Sequence, residues 1–554
     1  MKRTLALILT VLVLATSFAG CGGTAGTGAK GGTLNMNLGS EPPEMDPQLS
    51  TDTTSFMLLN ATIEGLVRYD KDGKLTAGAA SEWKVSDDGL TYTFTMRKNN
   101  KWSNGDPVTA ADFEFGLKRA LDPATASQYA YILYDIKNAA KVNAGELGLD
   151  ELGVKADGDT LTITLERPTP YFDTIMAFGT ALPCNQKFFE ANKDTYGSEA
   201  AMLLYNGPFI MKEWAHEDHI LLEKNPAYWN KNAIALDKVM MYMIADNAAA
   251  KVKFFNKELD MIGVPGVDFQ EYTDKGYKLA DYSDGATFYL EFNTTDKLMS
   301  NKKIRQAFSF ALDRTAYVKD VTKDHSLPAL AYVVPGLPGK AKTFREEVGD
   351  LIKDNAPEEA KKLLDEGLAE VGVALADAKF TIIMDEGDTQ KTRGAAMQDM
   401  WKKNLGIDVE LQQMPFKARL QKMTDKDFQI VFAGWGPDYN DPMTFLDVFL
   451  SGGGNNHTYY SSADFDKLIN DAKVEVDAAK RMDMLYAAEK LLMEDMPIAP
   501  VFFRIRTWTT QEGVSGIVRR SIGGDPDLYY ATKQYWILAQ SSYGFFLSLI
   551  HISQ

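Results

Sequence analysis

Asp438 stands in the stretch FQIVFAGWGPDYNDP, Phe428 to Pro442, where an apolar run long enough for a buried strand stops abruptly in a loop. In open α/β sheets ligands gather beyond the carboxyl ends of strands, so an acid delivered there can serve as counter-charge to a cationic group. Gly, Pro, Asn and Asp also fill ordinary turns, and on these residues alone Asp438 is also readable as the closure of a loop.

Other residue types that carry chemistry are not arranged to use it. The chain has no GxSxG elbow, no Walker loop and no HExxH. His216 and His219 lie in EWAHEDHILLE, whose alternation suggests a strand or hairpin and, on a strand, turns the two rings to opposite faces, against a metal site. Gly452, Gly453 and Gly454 lack the Lys and Ser/Thr of a phosphate loop and read as a mobile connection. Cys184, beside Pro183, has no activating neighbour in sequence and reads as a small buried hydrophobe. Neither an enzyme nor a resident metal or cofactor is expected.

The elements that must position Asp438 are of both kinds, as in a mixed α/β protein. TYTFTMR from Thr91 and LTITL from Leu161 alternate with period two, the second introduced by the turn Asp157, Gly158, Asp159. Asn301 to Leu312 places Ile304, Ala307, Phe308 and Ala311 on one helical face, with Asp313 poised to cap the next helix. Pro357 opens EEAKKLLDEGLAEVG, which Gly372 can stop. Two amphipathic helices follow Ser462 and end at Pro497, after which PIAPVFFRI reads as a strand returning to a core.

Lys2 and Arg3 precede the apolar run Leu5 to Leu14, and Thr16, Ser17, Phe18, Ala19, Gly20 and Cys21 complete the layout of a secretory leader. The run is too short to span a bilayer. Ala19 and Gly20 before Cys21 resemble the bacterial lipoprotein signal, in which that Cys is acylated and becomes the first mature residue; plain secretion is the alternative. Gly22 to Gly32 has the composition of a flexible linker. The mature body is therefore expected outside the cytoplasmic membrane, in a periplasm or on a Gram-positive surface, held by the lipid alone. Cys184 is then left without a disulfide partner.

A length of 554 residues argues for two or three domains, and 45% hydrophobic with 24% charged residues is ordinary globular composition. The formal charge is -17, and loss of Lys2 and Arg3 makes it more negative, which disfavours nucleic acid and anionic lipid surfaces. FFLSLIHISQ, Phe545 to Gln554, is set apart as a doubtful tail, because SLIHIS resembles translated adapter sequence; an apolar terminal strand is the other reading.

Several blocks together resemble the bacterial extracytoplasmic solute-binding proteins of family 5, the peptide and nickel group that serves ABC importers. They include GSEPPEMDP from Gly39, KWSNGDPVTAADF from Lys101, NGPFIMKEW from Asn206, IRQAFSFALDR from Ile304 and GWGPDYNDPMTFLD from Gly434. They run in order along almost the whole mature chain and are most similar to oligopeptide-binding members. The resemblance implies an α/β fold of the periplasmic-binding-protein type II class, three-domain and cluster C-like. Its domain I comprises residues 33–64, 190–285 and 506–535, its inserted domain II residues 65–189, and its domain III residues 286–505, after a signal peptide at 1–20 and a linker at 21–32. The ligand would close between domains I and III.

By the same resemblance Asp438, in the segment that continues to Tyr439, would hold a peptide's free ammonium. Peptide backbone would pair with Gly434, Trp435 and Gly436 and, opposite, with Ser50, Thr51, Asp52 and Thr53. Tyr289 is a candidate wall residue or a core aromatic. The basic residues that serve ligand carboxylates in a well-known member correspond to Phe432 and Gln390, which leaves the peptide's far end without a partner. The expected function is a monomeric, lipid-anchored receptor delivering oligopeptides to permease subunits of an ABC importer. A dipeptide, nickel chelate, haem or oligosaccharide in the same fold is the alternative.

Overall fold

The structure is a computed structural model that describes residues 29–535. Cys21, the leader and the tail from Phe545 lie outside the described residues. Its backbone is organised by two neighbouring strands of 13 residues, Ala280–Phe292 and Ile498–Thr510, which pair antiparallel from Ala280↔Trp508 to Glu291↔Ile498. Ile498 to Phe503 is buried at every position, as a strand covered on both faces must be, and this explains the unbroken apolar sequence.

The two long strands are shared between two halves of one large sheet. At one end Met261–Gly263 pairs with Ile498–Thr510, and the order continues through Thr33–Asn37, Lys238–Tyr242, His219–Lys224 and Phe209–Ala215. At the other end Ile430–Trp435 pairs with Ala280–Phe292, followed by Phe380–Asp385 and Val409–Met414. Between the halves the register of the long strands shifts across Asp284, Gly285 and Ala286, a bulge that bends the pair. Gly285 sits there at φ +71°, and a Cβ on it would lie 2.8 Å from Cδ of Pro437.

Each half is clad in helices whose boundaries follow from local chemistry. Asn301 accepts from the backbone N–H of Lys303 and Ile304 to start Lys302–Phe310, and Asp313 caps the short helix after it. Pro357 begins the helix that ends at Glu370, and Ser462 and Asp477 cap Ala463–Val474 and Ala478–Asp495. A separate antiparallel sheet of Ala80–Val85, Thr91–Met96, Thr160–Thr164 and Val154–Asp157 carries the helix Ala110–Leu121. Its core joins that of residues 289–503 in one connected cluster, whereas Leu34, Leu58, Val239 and Leu528 belong to a second.

One expectation for this region is corrected. Gly452 to Gly454 form a tight turn rather than a free connection: Gly453 N–H donates to Leu450 O, and a Cβ on Gly454 would come within 2.4 Å of Gln128 O. Glycine is required at 454 because another backbone passes against it.

Candidate functional site

The strand Ile430–Trp435 exists because Ile430 to Ala433 are buried, and its two edges are used unequally. Phe380–Asp385 pairs with it only at Ile430 and Val431. Ala280–Phe292 pairs with its other edge through to Thr287↔Trp435. From Phe432 to Trp435 one edge is thus without a partner strand among the described residues. Gly434 fits this place because a Cβ would meet the Phe288 ring at 2.9 Å.

The open edge ends at Asp438. Thr444 Oγ1 accepts from Asp438 N–H at 2.9 Å, which fixes the turn, and Tyr129 Oη donates to the carboxylate at 3.3 Å. The charges and dipoles that act on Asp438 are Asp447, Tyr129 and Thr444, with no protein cation among them. The carboxyl keeps some surface toward the cavity but lies deep in the protein mass. That depth, reinforced by Asp447, pushes its pKa well above the usual carboxylate range.

Asp438, Gly434, Trp435, Gly436 and Tyr289 line one cavity of about 1010 Å³ together with Thr51, Asp52 and Thr53. Tyr289 is 2% exposed and its ring meets Tyr332 edge-on at 5.1 Å, so it is a core aromatic that also forms wall. Asp52 is occupied structurally: it caps the helix Thr53–Thr62, accepting from Ser55 N–H at 2.9 Å and Ser55 Oγ at 2.6 Å, and burial pushes its pKa up to about 6.

Two expected contacts lie elsewhere. Ser50 is buried away from the cavity, its hydroxyl donating to the carbonyls of Glu44 and Asp46 at 2.8 Å each. Tyr439 turns in the opposite direction from Asp438 and stacks on Tyr171 at 4.9 Å, with its hydroxyl 3.4 Å from Asp447. Adjacent residues leaving a strand end need not share a surface, and these two serve the packing behind the site.

The cavity wall also contains residues that local sequence did not single out. Tyr129, besides reaching Asp438, stacks over Trp435 at 6.0 Å and so closes the site from the separate small sheet's side. Asn247 Nδ2 donates across to Thr389 Oγ1 at 2.7 Å, another contact between segments on opposite sides. Glu291 lies in the wall near Arg419, and burial raises its pKa to about 7 against the pull of that guanidinium and the Tyr289 hydroxyl. Basic groups are present after all: Lys417, Arg419, Arg504 and Arg506 line the cavity, although Phe432 and Gln390 are neutral. The alternation in PVFFRIR does place Arg504 and Arg506 on one face, a signal that was available.

The arrangement can do one thing without catalysis: it can grip an extended chain by its backbone and by a terminal cation. Residues 74–457 match the model of "Bacterial extracellular solute-binding proteins, family 5 Middle". The oligopeptide-binding protein OppA of Bacillus subtilis is 40% identical over 532 residues, 94% of this chain and 97% of that one. Listeria monocytogenes OppA bound to peptide superposes with a TM-score of 0.86 at 32% identity, covering 91% of this chain and 99% of that one. The Escherichia coli murein tripeptide binding protein MppA gives 0.83 at 27% identity, with 91% and 99% covered, but MppA in its unliganded open form gives only 0.58, with 92% and 99% covered. The present structure accordingly matches these neighbours better than the unliganded open form, and its fold is that of a type II periplasmic binding protein. With a family model spanning most of the chain and relatives matched nearly end to end, the chain belongs to the bacterial extracellular solute-binding proteins, family 5.

Proposed function

We propose that this protein is a lipid-anchored extracytoplasmic receptor that binds oligopeptides and hands them to the permease of an ABC importer. The observation that carries this reading is the unpaired strand edge from Phe432 to Trp435, which opens onto a cavity of about 1010 Å³ and ends at the Asp438 carboxylate. An extended peptide adds to such an edge through main-chain hydrogen bonds that are the same for every sequence, so affinity comes without side-chain preference. Its ammonium would neutralise Asp438, which has no cation partner among the described residues. In a closed cleft that ion pair is poorly screened and correspondingly strong. Side chains would project into the remaining volume, where bridging waters accommodate different groups at small cost.

Thr51 and Thr53 are the groups on the facing wall best placed for a second backbone contact, since Ser50 is enclosed and Asp52 caps a helix. The lipid at Cys21, the linker after it, the division into three domains and a monomeric state complete the proposal and rest on the sequence pattern.

Mass spectrometry of ligands that co-purify with the protein tests the reading. A mixed population of short peptides with free amino termini is the expected result. A single sugar or a metal chelate in their place would overturn it.

A further inference from the structure

The turn that presents Asp438 is held from behind by one helical segment, Met443–Leu446 and the 3-10 turn Asp447–Phe449 that continues it. Thr444 accepts the Asp438 N–H on its hydroxyl and the Trp435 Nε1–H on its carbonyl, the latter at 3.0 Å. Asp447, three residues later and so on the same face, accepts from the Tyr439 hydroxyl at 3.4 Å. Two consecutive loop residues are thus tied to the segment one turn apart, and the second tie is an acid.

Asp447 stands behind the cavity wall and is 5% exposed. Lys473, on the helix Ala463–Val474, is the cation that faces it, 3.4 Å from Oδ2, while Oδ1 is enclosed with no partner among the described residues. Two neighbouring acids are better provided for: Asp441 accepts from two nitrogens of Arg481, at 2.9 and 2.8 Å, and Asp135 pairs with Arg167. Burial, seconded by Asp135 and Asp441, outweighs Lys473 and brings the Asp447 pKa up to about 6. The hydroxyls of Tyr131, Tyr171, Tyr332 and Tyr439 also feel its charge. Among the described residues Asp447 is the charge that acts on Asp438, and the other groups facing that carboxyl are the Tyr129 hydroxyl and Thr444. Two acids therefore stand one behind the other, the inner one incompletely neutralised, and a cation arriving at Asp438 is drawn by both.

We infer that Asp447 is a positioning residue for the cationic end of the ligand: it holds the Asp438–Tyr439 turn through Tyr439 and adds its own negative charge to the field at Asp438. This rests on the peptide-binding reading and goes beyond it by giving a role to a residue outside the cavity wall. A proton and a peptide ammonium are both monocations that compete for Asp438, so Asp447 strengthens the hold on each. Its contribution to peptide affinity cancels in acid, where a proton must first leave Asp438 and Asp447 itself is neutral, and emerges in full as pH rises.

Isothermal titration of ligand-stripped wild type and Asp447→Asn with tri-alanine amide, from pH 5 to pH 9, tests the inference. Asn keeps an oxygen for the Tyr439 hydroxyl, and the peptide's own titration is common to both proteins and drops out of their affinity ratio. Wild type and variant should bind equally at pH 5, and the wild type should gain with pH until it binds about 10-fold more tightly, the size of one pKa unit of coupling between two groups. Lys473→Gln, which leaves Asp447 neutral to higher pH, should displace the rise of affinity toward alkali. A ratio of wild type to Asp447→Asn that is the same at every pH, whether one or larger, overturns the inference while leaving peptide binding intact, because a packing role alone has no such profile. An undisplaced profile in Lys473→Gln overturns it independently. Failure of the peptide to bind the wild type at any pH overturns the peptide reading instead.

Discussion

At the scale of single residues, the decisive property of Asp438 is that no described residue supplies a cation for it. Replacing it with Ala should weaken binding of a free-amine peptide by roughly 2 to 5 kcal/mol, the range for a buried charge pair losing one partner, or about 30- to several-thousand-fold in Kd. Titration of the variant, with the N-acetylated peptide as control on the wild type, measures this; unchanged affinity would remove Asp438 from the site. The same residue should have an opposite effect on the ligand-free protein. Its folded pKa lies above the unfolded one, so the native state holds the proton more tightly and loses stability as pH rises past the unfolded value. Asp438→Asn should accordingly melt at a higher temperature than wild type at neutral pH when stripped of ligand, and the difference should vanish in acid. Residue-scale reading of the sequence reaches a single position, as at Asp438 in the cavity wall, and fails where two distant ones meet. Tyr129 lies 309 positions from Asp438 and carries no local mark of that contact. Asp52 was readable differently, since an Asp three residues before Ser55 is an N-cap pattern.

At the scale of elements, the strand Ile430–Trp435 supplies the surface and its glycine sets the clearance. Gly434→Val would push a side chain into the Phe288 ring, which also supports Arg504 and Arg393. Overpacking of this kind costs about 1 to 3 kcal/mol. Both the melting temperature and peptide affinity should fall; a variant with native melting and native affinity would show that this edge does not meet the ligand. Strands and helices were largely visible beforehand because apolar runs, alternation, Pro357, Asn301 and Ser462 are local signals. The free edge was not visible, because it depends on where Phe380–Asp385 parts from its neighbour after Val431, a matter of sheet geometry. Where the Ser50 and Tyr439 side chains point was not legible for a related reason: a loop's sequence does not state which of its side chains faces inward.

At the scale of the whole molecule, Ala280–Phe292 and Ile498–Thr510 belong to both halves, and the bulge at Asp284 to Ala286 is where they can bend. Neither half owns a complete sheet, since the edges of the same two strands complete both. Unfolding one half would strip hydrogen-bond partners from the other and leave polar backbone unpaired. Large chains commonly melt in several steps, but here calorimetry should show one cooperative transition. A peptide at 100 times its Kd should move that transition upward as a unit, adding about 2.7 kcal/mol. Two separable peaks, only one of them shifted by peptide, would refute this coupling. The shared strands thus make the molecule a single melting unit across both halves of its sheet, so occupancy at the cleft is reported in the stability of every residue that the sheet connects.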